Sequence, residues 1–71
     1  MASIQLQVSG MACNHCRGKV ETALQQVAGV YSVFVDLDDG SAEVDFDANA
    51  VTPEVLVGAV KSAGYDAQPV S

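Results

Sequence analysis

Two cysteines three residues apart, Cys13 and Cys16, carry most of the chemistry this chain can do. They lie in the stretch Gly10-Met11-Ala12-Cys13-Asn14-His15-Cys16. The chain holds no other cysteine, and only one histidine and two methionines accompany them. The segment sits where an alternating strand pattern gives way to a helical one. A pair of thiols at the start of a helix lies near unsatisfied backbone N–H groups and the positive end of the helix dipole, which favours thiolate over thiol. Two thiolates without further obvious donors suit a soft, low-coordinate ion, above all Cu(I), and also Ag(I) or Hg(II). A structural zinc site asks for four protein ligands. His15 is held in the same short loop as the sulfurs and is poorly placed to help close such a cage. Iron–sulfur clusters need four cysteines.

Two other uses of the pair stand beside metal binding. Cysteines are often small buried hydrophobes, although a polar, glycine-led loop is an unusual place for two of them. A thiol–disulfide redox protein also opens a helix with CxxC after a strand. Against it, the chain is short for a thioredoxin-like fold, has no aromatic or proline neighbours at the motif, and has a different order of elements. The acidic residues form no paired-carboxylate site. No glycine loop suited to phosphate and no Ser/His pairing is present, so an enzyme is not expected.

The elements that must position the thiols follow from periodicity. Ile4, Leu6 and Val8 alternate with Gln5 and Gln7, the period of a half-buried strand. Val20, Ala23, Leu24 and Val27 recur at helical spacing, and that helix closes at Gly29. Residues 30–37 predict a second strand with Tyr31, Val33, Val35 and Leu37 on one face. Asp38-Asp39-Gly40 predicts a hairpin with a primed turn. In a third strand Ala42, Val44 and Phe46 alternate with Glu43, Asp45 and Asp47. Thr52 and Pro53 read as the N-cap and first residue of a second helix. Its apolar stripe is Val55, Leu56, Ala59, Val60 and Ala63, and it is closed by Gly64. A last strand spans about residues 65–70.

The order β-α-β-β-α-β predicts an α+β, ferredoxin-like fold: an antiparallel four-stranded sheet with two helices on one face. Both helices end in Ala-Gly, at 28–29 and 63–64, a weak internal repeat. The 71 residues read as a single domain, 1–71, of a size at which one core suffices. With 49% hydrophobic and 17% charged residues, the composition fits a compact globule rather than a disordered chain. In this topology the loop after β1, the Asp38–Gly40 hairpin and the segment after the second helix share one end. Cys13 and Cys16 are therefore expected near Gly64 and Tyr65.

Nine acids stand against Arg17, Lys19 and Lys61, giving a net charge of −6. That balance excludes nucleic acid and anionic membrane as partners, since both need a basic footprint. No apolar run approaches the roughly 20 residues of a membrane span, so no direct membrane insertion is expected. No cationic segment leads into an apolar one at the N-terminus. The expected location is cytoplasmic, where thiols stay reduced. The acids Asp36, Glu43, Asp45 and Asp47 are expected on the outer sheet face and the three cations on the helices, making the molecule electrically lopsided.

The stretch 10–16 matches the GMxCxxC motif of heavy-metal-associated domains. With the strand and helix lengths, Ala28-Gly29-Val30 and Ala63-Gly64-Tyr65-Asp66, the resemblance covers the whole chain. The Asn-His between the cysteines resembles the bacterial CopZ-type copper chaperones. Ala12 departs from the commoner Thr or Ser, at a position that carries no ligand. The family comprises small copper chaperones and the N-terminal metal-binding domains of copper-exporting P-type ATPases. The resemblance implies that Cys13 and Cys16 ligate one Cu(I), which then passes by ligand exchange to the CxxC domain of a copper-transporting P-type ATPase. It implies that Met11 packs under the loop rather than ligating. It also places Tyr65 beside the metal as a shield. His15 is either an exposed loop residue or a modulator of the thiolates, including in a copper-bridged homodimer, and Gly10 lets the backbone turn before the site. The implied function is a cytoplasmic Cu(I) metallochaperone. An N-terminal metal-binding domain of a copper-exporting ATPase stands as the alternative within the family, and a thiol–disulfide redox protein as the alternative outside it.

Overall fold

The computed structural model describes residues 2–11 and 14–70. Its elements are β1 (Ala2–Ser9), α1 (Asn14–Gln25), β2 (Val30–Asp36), β3 (Ser41–Phe46), α2 (Pro53–Ser62) and β4 (Asp66–Pro69). The strands form one sheet in the order β2-β3-β1-β4. Its neighbouring strands, β2 with β3, β3 with β1 and β1 with β4, all pair antiparallel. Each βαβ half spans a strand belonging to the other half, which is the split arrangement expected of the ferredoxin-like fold.

Period-2 alternation decides which side of each strand is dry. Ile4, Leu6 and Val8 of β1 are buried, as are Val35 of β2 and Ala42, Val44 and Phe46 of β3. Val20 and Leu24 of α1 and Leu56 and Val60 of α2 close over them, all four without solvent exposure. Val51, in the loop before α2, joins the same core. Thr52 caps α2: its Oγ1 accepts from the Val55 N–H at 3.4 Å, and Pro53 stands in the first turn.

Three local expectations are corrected. Tyr31 does not share the inward face of β2 with Val33 and Val35. The ladder pairs Val30 with Phe46 and then Ser32 with Asp45, with a bulge between them. The Asp47 N–H donates to the Gly29 carbonyl at 2.8 Å, which holds Val30 opposite Phe46 and leaves Tyr31 as the extra residue. Tyr31 is accordingly 61% exposed. Leu37 falls beyond the strand.

The hairpin is not a two-residue primed turn, because Asp36 pairs with Ser41 and residues 37–40 form the loop. The Asp36 carboxylate accepts the N–H groups of Asp38 and Asp39 at 3.0 and 3.4 Å, an Asx turn. Positive φ is needed only at Gly40, where it is 65°.

Val55 leaves the apolar stripe of α2. Leu56, Val60 and Ala63 centre that stripe, and Val55 lies about 100° around the helix from Leu56. It is 48% exposed.

The last correction sets a stability test. Leu56→Ala is expected to lower the unfolding free energy by about 2–5 kcal/mol, and Val55→Ala by less than ~0.5 kcal/mol. Urea unfolding of the two variants measures the contrast; equal losses would return Val55 to the core.

Candidate metal site

The segment that carries the thiols leaves the sheet at the end of β1. Ser9 pairs with Asp66 of β4. Just before it, the Val8 N–H donates to the Gly40 carbonyl at 2.7 Å. The Gln7 Nε2 donates to the carbonyls of Asp39 and Gly40 at 3.0 and 3.1 Å. These bonds tie the 37–40 hairpin to the last residues of β1. Gly10 then turns the chain at φ +97°, a region L side chains rarely adopt. A Cβ placed on Gly10 would lie 3.4 Å from Cδ1 of Tyr65. The ring of Tyr65 thus closes over the turn, half-buried and packed against the core. Met11 follows, also half-buried and packed against the same cluster.

Cys13, expected as a ligand, lies outside the described residues, as does Ala12. Cys16 stands in the first turn of α1 and is half-buried. Asn14 and His15, in the same turn, are exposed. Arg17 is drawn along the helix toward Glu21, 3.7 Å away. That pair is solvent-exposed and contributes little to stability. The first turn of α1 carries no acid, so no carboxylate of the helix itself opposes an anion at that end.

The last turn of α2 faces this turn across a shallow groove. Asn14, His15, Gly18 and Lys19 line one side, and Ala59, Ser62 and Ala63 the other. A second cleft joins Ser9 and Gly10 to Gly64, Tyr65 and Asp66, with Lys61 on its wall. Gly10, Met11, His15, Cys16 and Tyr65 are therefore gathered at one end of the molecule, with the hairpin beside them.

Lys61, expected only as one of the three cations on the helices, stands one helical turn before Gly64-Tyr65 on the wall of this second cleft. Among the described residues no three of His, Cys, Asp and Glu come together as a metal cage. The acids of the hairpin and sheet thus do not assemble a hard-cation site there. No helix of the described residues is long and apolar enough to cross a membrane.

The heavy-metal-associated domain family model matches residues 5–66, a span that contains every residue of this site. The copper chaperone CopZ of Staphylococcus saprophyticus is 44% identical over 66 residues, covering 93% of this chain and 97% of that protein. The copper chaperone CopZ of Staphylococcus haemolyticus is 46% identical over 61 residues, covering 86% of this chain and 90% of that protein. Among solved structures, a copper binding domain from HMA7, a P-type ATPase, superposes with a TM-score of 0.99 at 38% identity. The match covers 100% of this chain and 96% of that one.

The turn at Gly10 offers a test of how the loop is held. Gly10→Ala places a Cβ at positive φ beside Tyr65 and is expected to lower stability by about 1–2 kcal/mol. The Tyr65 ring resonances should shift with it. A variant as stable as the parent would show that the turn relaxes without this conformation.

Proposed function

This chain belongs to the heavy-metal-associated domain family, and on that premise we propose that it is a carrier of Cu(I). Cys13 and Cys16 bind one ion as thiolates, and the ion is cargo rather than a resident cofactor. The observation that carries this reading is the position of the CxxC pair. The family match spans the motif, and Cys16 stands in the acid-free first turn of α1 at an end of the molecule where Asn14 and His15 are exposed.

The physical argument runs from donor number to release. Two sulfurs in near-linear geometry satisfy Cu(I), a soft ion that accepts low coordination. They leave the ion open to a third thiolate. A partner with its own CxxC supplies that thiolate, forms a three-coordinate intermediate and then displaces the two resident sulfurs in turn. Electrons stay paired throughout, and the ion keeps its oxidation state. Met11 and Tyr65, which pack against the core, hold the loop rather than ligate, and Tyr65 shields the ion from water. His15, exposed in the same turn, is free to contact an approaching partner.

The acceptor we infer is the CxxC metal-binding domain of a copper-transporting P-type ATPase, met in the cytoplasm. Likeness to CopZ proteins along nearly their whole length supports a free-standing chaperone. The superposition on the HMA7 domain supports a second reading, a metal-binding domain of such an ATPase. Both use the same thiols. An exposed two-sulfur site also admits a copper-bridged homodimer at high concentration.

The test is an anaerobic titration of the reduced protein with Cu(I) against a chromophoric Cu(I) chelator, beside the Cys13→Ser/Cys16→Ser variant. One tightly held ion per chain, lost in the variant, is the expected result. Weak binding, or binding that survives the substitution, would falsify the carrier reading. Transfer to a cognate CxxC domain is expected to slow with Cys13→Ser. An unchanged rate would rule out exchange through both thiols.

A further inference from the structure

The open face of the sheet carries a feature that metal handling does not use. Side chains of β1, β3 and β2 line up across it in rows set by the register: Gln5, Glu43 and Phe34 in one, Ser3, Asp45 and Ser32 in the next. Phe34 is 66% exposed in the middle of β2. Tyr31 is 61% exposed. The bulge sets Tyr31 and Ser32 together opposite Asp45, so Tyr31 is turned from the core side toward the side that carries Phe34. The Ser32 hydroxyl donates to the Asp45 carboxylate at 2.8 Å, which holds that acid against Ser32, the residue between Tyr31 and Val33 on β2. β2 is an edge strand, leaving this side of the sheet open to approach.

The charge around the rings is of one sign. Arg17, Lys19 and Lys61 all lie on α1 and α2. No strand carries a cation, whereas Asp36, Glu43 and Asp45 lie on β2 and β3. Exposed aromatic rings bordered by carboxylates match arginine and lysine side chains, which stack on the rings and pair with the acids. Nucleic acid and anionic lipid are repelled by the same carboxylates. A second copy of this chain is a poor match, because its three cations share the helices with Glu21 and Glu54, and Arg17 already lies against Glu21.

We propose that Tyr31 and Phe34, with Asp36, Glu43 and Asp45, form a docking surface for a basic protein segment, on the face of the sheet opposite the helices. The proposal rests on the sheet geometry and not on the copper reading. A partner held here leaves the thiol loop at the end of β1 uncovered. The rings supply contact area, and the carboxylates supply orientation and salt-sensitive attraction.

The test is a ¹⁵N NMR titration of the reduced full chain with a short peptide alternating arginine and leucine. A peptide alternating glutamate and leucine serves as the control. The arginine peptide is expected to shift the amides of Tyr31, Ser32, Phe34, Glu43 and Asp45, with weaker binding at high salt. Tyr31→Ser/Phe34→Ser should weaken binding about tenfold, and so should Phe34→Ser/Glu43→Gln. Both variants should keep the parent Tm and Cu(I) stoichiometry, which separates this surface from the thiol site. Shifts spread equally over Asp38, Asp39 and Asp66 and unaffected by either variant would overturn the proposal as unspecific charge attraction. Concentration-dependent dimerisation without peptide, lost in Phe34→Ser, would overturn it in favour of a second copy.

Discussion

The pairing of β1 on both sides is the constraint from which the rest of the molecule follows. β1 lies inside the sheet, between β3 and β4, and its residues Ile4, Leu6 and Val8 are at most 8% exposed. Because both edges are bonded, the last residues of β1 are fixed relative to the hairpin through Val8 and Gly40 and to β4 through Ser9 and Asp66. The thiol loop therefore follows a strand that is bonded along both edges. Here its anchors are Gly10 under Tyr65 at one end and α1, fastened by Val20 and Leu24, at the other.

Charge is sorted by layer. The helices hold all three cations with two acids, while the strands and loops hold the other seven acids and no cation. With a Debye length near 10 Å at ordinary ionic strength, a molecule whose longest dimension is 33 Å presents distinct faces to its surroundings. A partner approaching the helix layer meets a nearly balanced surface beside the thiol loop. One approaching the sheet meets carboxylates. The placement follows from topology, since outward positions on β2 and β3 cannot reach the helix side.

The order of elements was legible because the two periods, 2 and 3.6, do not resemble one another, and because an Ala-Gly pair follows each helix, directly after α2 and three residues after Gln25 of α1. The motif was legible because the chain has so few soft donors. What failed was local and tertiary in origin. Both Val30 and Tyr31 can begin an alternating β2. The choice falls to the Asp47–Gly29 bond and to the fit of Val30 against Phe46, neither of which leaves a trace in the hydropathy pattern. The hairpin differed for a similar reason: the Asp36 side chain closes a longer loop than Asp-Gly spacing suggests. Val55 was misplaced because a stripe of five apolar residues is wider than the strip of helix the sheet covers. Lys61 meets Gly10 across a cleft only through the tertiary packing of α2, which the sequence pattern does not carry.

Two donors rather than four are the feature that makes a carrier different from a structural metal site. In a closed tetrahedral cage every position around the ion is filled, and release requires a protein ligand to leave first. On the reading proposed above, a pair of thiolates retains the ion through bond strength while leaving room for attack. On the same proposal, the partial positive charge of the α1 N-terminus would favour both sulfurs as anions, with or without the ion. That stabilisation matters most after release, when two neighbouring thiolates would otherwise repel each other and take up protons. The absence of acids from the first turn of α1 follows the same logic, since a carboxylate there would compete for the helix N–H groups. Under that proposal the fold would contribute less to gripping the ion than to holding the empty site ready, and the direction of transfer would follow the relative affinities of the two thiol pairs.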